Sequence, residues 1–311
     1  MNNASRIFGV AFLVIIISFC MIAFDNSDSG SNTGNNNRGS GTITANSIAA
    51  MEAALAAHTG GVTVNNPITL VISFDLGTMT ENSSNWQKML VVIADKNKFV
   101  DLNLSNCTMN VSKVFDPDYS VSTGKSKIVS IILPNIAEKI EEGASRTYRA
   151  FNDFTNLSYI TDSSVTEIGS FAFDNCTNLK SVDFPKTTII GGRAFIFCNK
   201  LESIYFPKAT NIGISLFNYT GTTALTITLG ENPPTVGHFI FYSIDAAKNV
   251  TIKIPYTAKE SYGYDASKDP TYFDNSNTDY NWGNFFRGLG SDGSGEVNTE
   301  IKLKFDTYTT L

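Results

Sequence analysis

The groups in this 311-residue sequence that could do covalent or acid–base chemistry are two histidines, four cysteines and scattered carboxylates. His58 and His238 lie far apart, one toward each end of the folded part. A cysteine nucleophile needs an exposed thiol of low pKa beside a base. Cys176 and Cys198 instead occupy a repeated apolar column, and with Cys107 they leave an odd number after Cys20, so buried thiols are expected rather than disulfides. Glu138, Glu141 and Glu142 flank Lys139, which marks a solvated face rather than a catalytic carboxylate pair. Asp116 with Asp118, and Asp292 with Glu296, fit no calcium-loop spacing, and no Walker loop, dinucleotide glycine pattern or zinc spacing occurs. The expectation is a protein that is not an enzyme, with no cofactor and no metal. Asn-x-Ser/Thr triplets at Asn106, Asn156, Asn175 and Asn218 are what an Asn- and Thr-rich chain produces by chance.

Charge narrows the partners. Lys and Arg total 23 against 29 Asp and Glu, a formal net charge of −6 without a basic stripe, so no nucleic-acid partner is expected. At the start of the chain, Arg6 precedes an apolar run over 7–19 with the length and flanks of a signal-peptide core. Cys20 follows Ile17, Ser18 and Phe19 as the lipidated cysteine of a bacterial lipoprotein signal would, although Phe19 is larger than the usual residue there. Alternatively, 7–24 is just long enough to remain as a membrane anchor. The polar segment 25–47 reads as a flexible tether. Export is expected, to a bacterial cell surface, as an outer-membrane lipoprotein, or in secreted form.

The elements that must position any site come from an internal repeat. At an offset of 22, Ala172, Phe173, Cys176, Leu179, Val182, Phe184 and Pro185 return as Ala194, Phe195, Cys198, Leu201, Ile204, Phe206 and Pro207. Ala150, Phe151, Phe154, Leu157 and Ile160 hold the same register one unit earlier, and Ile168-Gly169, Ile190-Gly191 and Ile212-Gly213 recur at the same interval. With insertions, 128–134, 227–230 and 250–255 continue the series, giving five or six strands. Within each strand the apolar residues alternate, so one face is buried and the other meets solvent. A lone unit cannot bury its apolar face, but stacked units can, which predicts a solenoid with a parallel sheet.

Alternation also selects the outward positions. Ser130, Tyr159, Ser181, Ser203, Thr226 and Thr251 form one column, and Ile132, Thr161, Asp183, Tyr205, Thr228 and Lys253 the other. This strip on the concave side is rich in hydroxyls and suits a protein or glycan partner better than a buried small molecule. Tyr159 and Tyr205 are its leading anchors, because tyrosine concentrates binding energy at interfaces.

The spacing AF-x(2)-C-x(2)-L-x(2)-V/I-x-FP, preceded by Ile-Gly, resembles the BspA-like, or treponeme-type, leucine-rich repeat of bacterial surface proteins, over roughly residues 128–286. The resemblance implies an α/β repeat solenoid with a helix-plus-strand segment before the repeats and a last coil closed by Tyr262 and Trp282. It also implies adhesion to host proteins or neighbouring cells, with no shared chemistry and no particular ligand.

Taken together, these readings give a signal or anchor at 1–24, a tether at 25–47, and an N-terminal helix/strand capping region at 48–127. Leucine-rich repeats with a C-terminal cap follow at 128–290, and a strand segment at 291–311. In the capping region, 47–57 and 84–95 read as helices and 68–74 and 99–104 as strands. The expected function is binding at the cell surface, with a protein or glycan partner such as host extracellular matrix or another cell, and a membrane contact through the N-terminus. The alternative is a structural or scaffolding component of the cell envelope. An exported hydrolase has no nucleophile–base arrangement to rest on.

Overall fold

The computed structural model describes residues 41–109, 113–117, 123–143, 150–217, 224–237, 249–255 and 302–306, with single positions at 240, 258, 261 and 262. The chain divides into two compact units, 1–38 and 39–311, and every described residue belongs to the second. The apolar run 7–24, Cys20, His238 and Trp282 therefore lie outside the described residues.

The early elements are β1 (Thr42–Ala45), α1 (Ile48–Ala57), β2 (Ile68–Ile72), α2 (Asn85–Asp95), β3 (Val100–Asn103) and β4 (Val114–Phe115). Next come β5 (Ile128–Ile132), β6 (Lys139–Ile140), β7 (Tyr159–Thr161), β8 (Glu167–Ile168), β9 (Ser181–Asp183), β10 (Ile189–Ile190) and β11 (Ser203–Phe206). The last are β12 (Asn211–Ile212), β13 (Ala224–Leu229), β14 (Thr235–Val236), β15 (Asn249–Pro255) and β16 (Lys302–Asp306). Two parallel sheets result. A ten-stranded sheet runs β1-β2-β3-β5-β7-β9-β11-β13-β15-β16, and a six-stranded one β14-β12-β10-β8-β6-β4. From β3 to β14 the chain alternates, each coil contributing one strand to the large sheet and a two-residue strand to the small one.

Two expectations change here. Thr42–Ala45 stands inside the polar segment read as a tether, yet it forms the edge strand, because Ile43 and Ala45 alternate into the core while Thr42 and Thr44 face solvent. The large sheet also holds ten strands rather than five or six. The strands at 68–72 and 100–103, assigned to a capping region, pair in parallel with each other, and the second of them with β5.

Both helices start at a serine cap. Ser47 accepts from the backbone N–H of Ala50 and Ser84 from that of Gln87, each at 3.2 Å, which satisfies one of the free donors at each helix start. α2 buries Trp86, Met89, Leu90 and Ile93, the one-sided stripe of an amphipathic helix.

The repeated residues become ladders in the core. Ile131, Ile160, Val182, Ile204, Ile227 and Ile252 are all buried and stack in register. On the small sheet, Phe115, Ile140, Ile168, Ile190, Ile212 and Val236 do the same. Between the sheets the rings of Phe115, Phe151, Phe173, Phe195 and Phe217 stack with successive centroids 6.0, 4.7, 5.2 and 6.0 Å apart. Trp86 closes the upstream end edge-on to Phe115 at 5.5 Å.

Hydroxyls bind coil to coil: Thr188 donates to the Thr166 carbonyl and Thr210 to that of Thr188, each at 3.1 Å. The Ile-Gly pairs have a steric cause. A Cβ on Gly191 would sit 2.3 Å from the backbone nitrogen of Ser170, and one on Gly213 2.3 Å from that of Gly192, so consecutive coils meet where only hydrogen fits. The 22-residue coils also carry left-handed residues at two recurring positions, Phe171, Arg193 and Ser215 at one and Asp153, Asn175 and Phe197 at the other, with φ between 56° and 64°. Such backbone costs about 1–2 kcal/mol per residue, and hydrogen bonds to the next coil hold it in place. The N–H of Arg193 donates to Ile214 O at 2.8 Å and that of Asn175 to Ile196 O at 2.9 Å.

Candidate binding face

The ten-stranded sheet turns one face to the core, so every second side chain of its strands stands on the other. Pairing aligns Ser130, Tyr159, Ser181, Ser203, Thr226 and Thr251 as one row of neighbours, and Ile132, Thr161, Asp183, Tyr205, Thr228 and Lys253 as the next. All twelve residues selected from the sequence therefore fall into the two columns expected. Tyr205 is 40% exposed and the others are half-buried among their neighbours.

Sequence reasoning missed the upstream continuation. Ser130 pairs with Asp101, Asp101 with Thr69 and Thr69 with Thr42, while Ile132 pairs with Asn103, Asn103 with Val71 and Val71 with Thr44. The signal was present: Asp101 and Asn103 alternate with Val100 and Leu102, as the outward residues of the later strands alternate with theirs.

Hydrogen bonds order this face. The Ser203 hydroxyl donates to that of Ser181 at 2.7 Å, the Ser130 hydroxyl to Asp101 Oδ1 at 2.6 Å, and the Thr161 hydroxyl to the Asp183 carbonyl at 2.9 Å. Burial pushes the carboxyls of Asp101 and Asp183 above the usual range, countered at Asp101 by the Ser130 bond.

The groups suited to catalysis are engaged elsewhere. The thiols of Cys176 and Cys198 donate to the carbonyls of Phe151 and Phe173, at 3.6 and 3.1 Å, and that of Cys107 to Ile72 O at 3.4 Å. All three are buried thiols rather than disulfide partners, and burial drives the Cys107 thiol up to about 12 and that of Cys198 well above its ordinary value, the reverse of what a nucleophile needs. His58 ends α1, and its Nδ1 accepts the Gly60 N–H at 2.9 Å. Glu138 pairs with Lys113 as an exposed ion pair between coils, and Lys139 with Glu167 at 2.8 Å as a half-buried one. Among the described residues no cluster of His, Cys, Asp and Glu could hold a metal ion; Asp118, Asp292 and Glu296 lie outside them. Among those same residues no helix is long and apolar enough to cross a membrane. Tyr262 is buried with its hydroxyl 2.9 Å from Gly230 O and 3.2 Å from Asn232 O.

No curated protein matches the chain. The family described as BspA type Leucine rich repeat region matches with six copies, over residues 118–245 and 188–280, together more than half of the chain. The stacked parallel strands, the 22-residue unit and this match agree, and the chain belongs to the BspA-type leucine-rich repeat family.

Proposed function

We propose that this chain is a cell-surface or secreted binding protein whose repeat array presents the outer face of the ten-stranded sheet to another macromolecule, in adhesion to host or neighbouring cells. The carrying observation is the pair of in-register columns, polar for most of their length, with Tyr159 and Tyr205 standing among hydroxyls. Such a surface is broad and hydroxyl-rich and offers aromatic anchors, the composition of a protein interface. Membership of a leucine-rich repeat family supports this reading, as does the engagement of the thiols and of His58 in the scaffold. The apolar run before Cys20 supports export and an anchored or secreted form. Acylation of Cys20 is tested by fatty-acid labelling, which Cys20→Ser abolishes if that cysteine carries the lipid.

The test of binding is capture by the full chain from host-matrix and cell-envelope extracts, repeated with the Tyr159→Ser/Tyr205→Ser double variant. The expected result is a captured partner lost in the double variant while the melting temperature holds. Unchanged capture by the double variant, with loss on altering 141–149, overturns the sheet-face reading. Capture from envelope extracts alone assigns the protein to envelope scaffolding.

A further inference from the structure

We propose that Asp183, between Tyr205 and Tyr159, forms a subsite on the outer sheet face for a cationic side chain, an arginine or lysine presented by a protein partner. The inference rests on the reading of this face as the binding surface and names the chemistry at its centre. In register, Asp183 neighbours Tyr205 of β11 on one side and Thr161 of β7 on the other. At the roughly 4.8 Å spacing of strands, Tyr205 is the direct cross-strand neighbour of Asp183 on the same face. Tyr159 lies diagonally across, one strand away and two residues earlier, about 7–8 Å off and within reach of a long aromatic side chain.

Among the described residues no cation pairs with the Asp183 carboxylate. The hydroxyl of Thr161 and the N–H of Asp162 both go to its backbone carbonyl, at 2.9 and 3.2 Å. Among the described residues the charged members of the two columns are Asp101, three strands upstream, Lys253, three strands downstream, and Lys302 and Lys304, which continue the columns one strand beyond Lys253. Three strand spacings exceed the roughly 8 Å over which physiological salt screens an exposed charge. Burial has already raised this carboxyl, so it has lost part of its water without gaining a charged partner among the described residues. An arriving guanidinium or ammonium supplies the missing charge, and the flanking rings offer it π faces. The net charge of −6 favours approach of a basic partner. A neutral glycan could use the hydroxyls but would leave the Asp183 charge unbalanced.

The experiment titrates the full chain with fluorescent oligo-arginine and oligo-lysine peptides, an oligo-glutamate peptide and a neutral gluco-oligosaccharide, reading anisotropy at physiological salt. Saturable binding of the basic peptides is expected, weakened about tenfold or more by Asp183→Asn and by Tyr205→Ser, and kept by Tyr205→Phe. Glu81→Gln removes an equal charge from an exposed loop and controls for non-specific attraction. Equal affinities for Asp183→Asn and Glu81→Gln overturn the subsite, as do absent basic-peptide binding and oligosaccharide binding that depends on the same residues. Extract capture that fails in Tyr159→Ser/Tyr205→Ser but persists in Asp183→Asn removes the cation subsite and leaves the binding face standing. Capture indifferent to all of these variants removes both.

Discussion

Phe195 lies face to face with Phe173, their centroids 5.2 Å apart and their planes inclined by only 4°. Phe217 stacks on its other side at 6.0 Å, so the ring of one repeat is the floor of the next and the ceiling of the last. Truncation by Phe195→Ala should lower the unfolding free energy by about 3–5 kcal/mol, because the coils on both sides hold the cavity open. Urea unfolding followed by far-UV circular dichroism measures it, and a loss under about 1 kcal/mol would show that the stack carries little of the stability.

Close approach of backbones makes a second, sharper prediction. Gly191→Ala puts a Cβ 2.3 Å from Ser170 N, where nothing flexible can yield, whereas at Gly192 the nearest atoms, Ile214 Cγ1 and O, are 3.1 Å away. Alanine at 191 should cost about 1–3 kcal/mol by forcing two coils apart, and alanine at 192 clearly less. Thermal melts of the two variants side by side decide the matter; equal midpoints would count against steric stacking as the reason for the Ile-Gly signature.

Asp162 links stability to pH. It occupies the inward position that Leu133, Phe184 and Phe206 fill in neighbouring coils, and it is 3% exposed. Its Oδ1 accepts from the N–H groups of Ser164 and Val165, while Oδ2 is buried with no hydrogen-bond partner among the described residues. Burial raises its pKa, and the backbone N–H groups of Ser164, Val165 and Ser163 and the charge of Lys186 only partly oppose the shift. A carboxyl whose folded pKa lies above its unfolded one favours folding fully while protonated. That contribution is lost as pH rises from the unfolded value through the folded one. Asp162→Asn keeps the turn-capping oxygen and removes the charge, so it should raise the urea midpoint at neutral pH and leave it nearly unchanged below the ordinary carboxylate range. A pH-independent difference between variant and wild type would refute the linkage.

The core was legible in the sequence because its units are copies. Phe151, Phe173, Phe195 and Phe217 fall in one column by counting, and the same count separates Val182 and Ile204 from the outward Asp183 and Tyr205. Residues upstream escaped it, since helices α1 and α2 lengthen the early coils and break the 22-residue count, although β2 and β3 pair with the same register as the later strands. β1 was hidden by composition: among Thr, Asn, Ser and Gly, only Ile43 and Ala45 mark an inward face. The small sheet left a trace in its Ile-Gly pairs but no readable strands, because two residues are too short to show alternation. The left-handed backbone at Phe171, Arg193 and Phe197 had no signal at all, since none of these residue types favours that conformation.

The bonds that tie coil to coil bear on how such a chain changes its length over generations. Thr187 reaches the Val165 carbonyl, Thr188 that of Thr166, Thr210 that of Thr188, and Lys200 the side chain of Asn178, each across 22 residues. Among the 22-residue units the upper surface of one is therefore the mate of the lower surface of the next. A gene that gains or loses one unit in frame needs no new joint to be invented, and the offspring protein is taller or shorter by a single storey of about 4.8 Å. Reach can then vary by copying error alone, while each added storey brings two fresh outward positions on which selection can write a different surface.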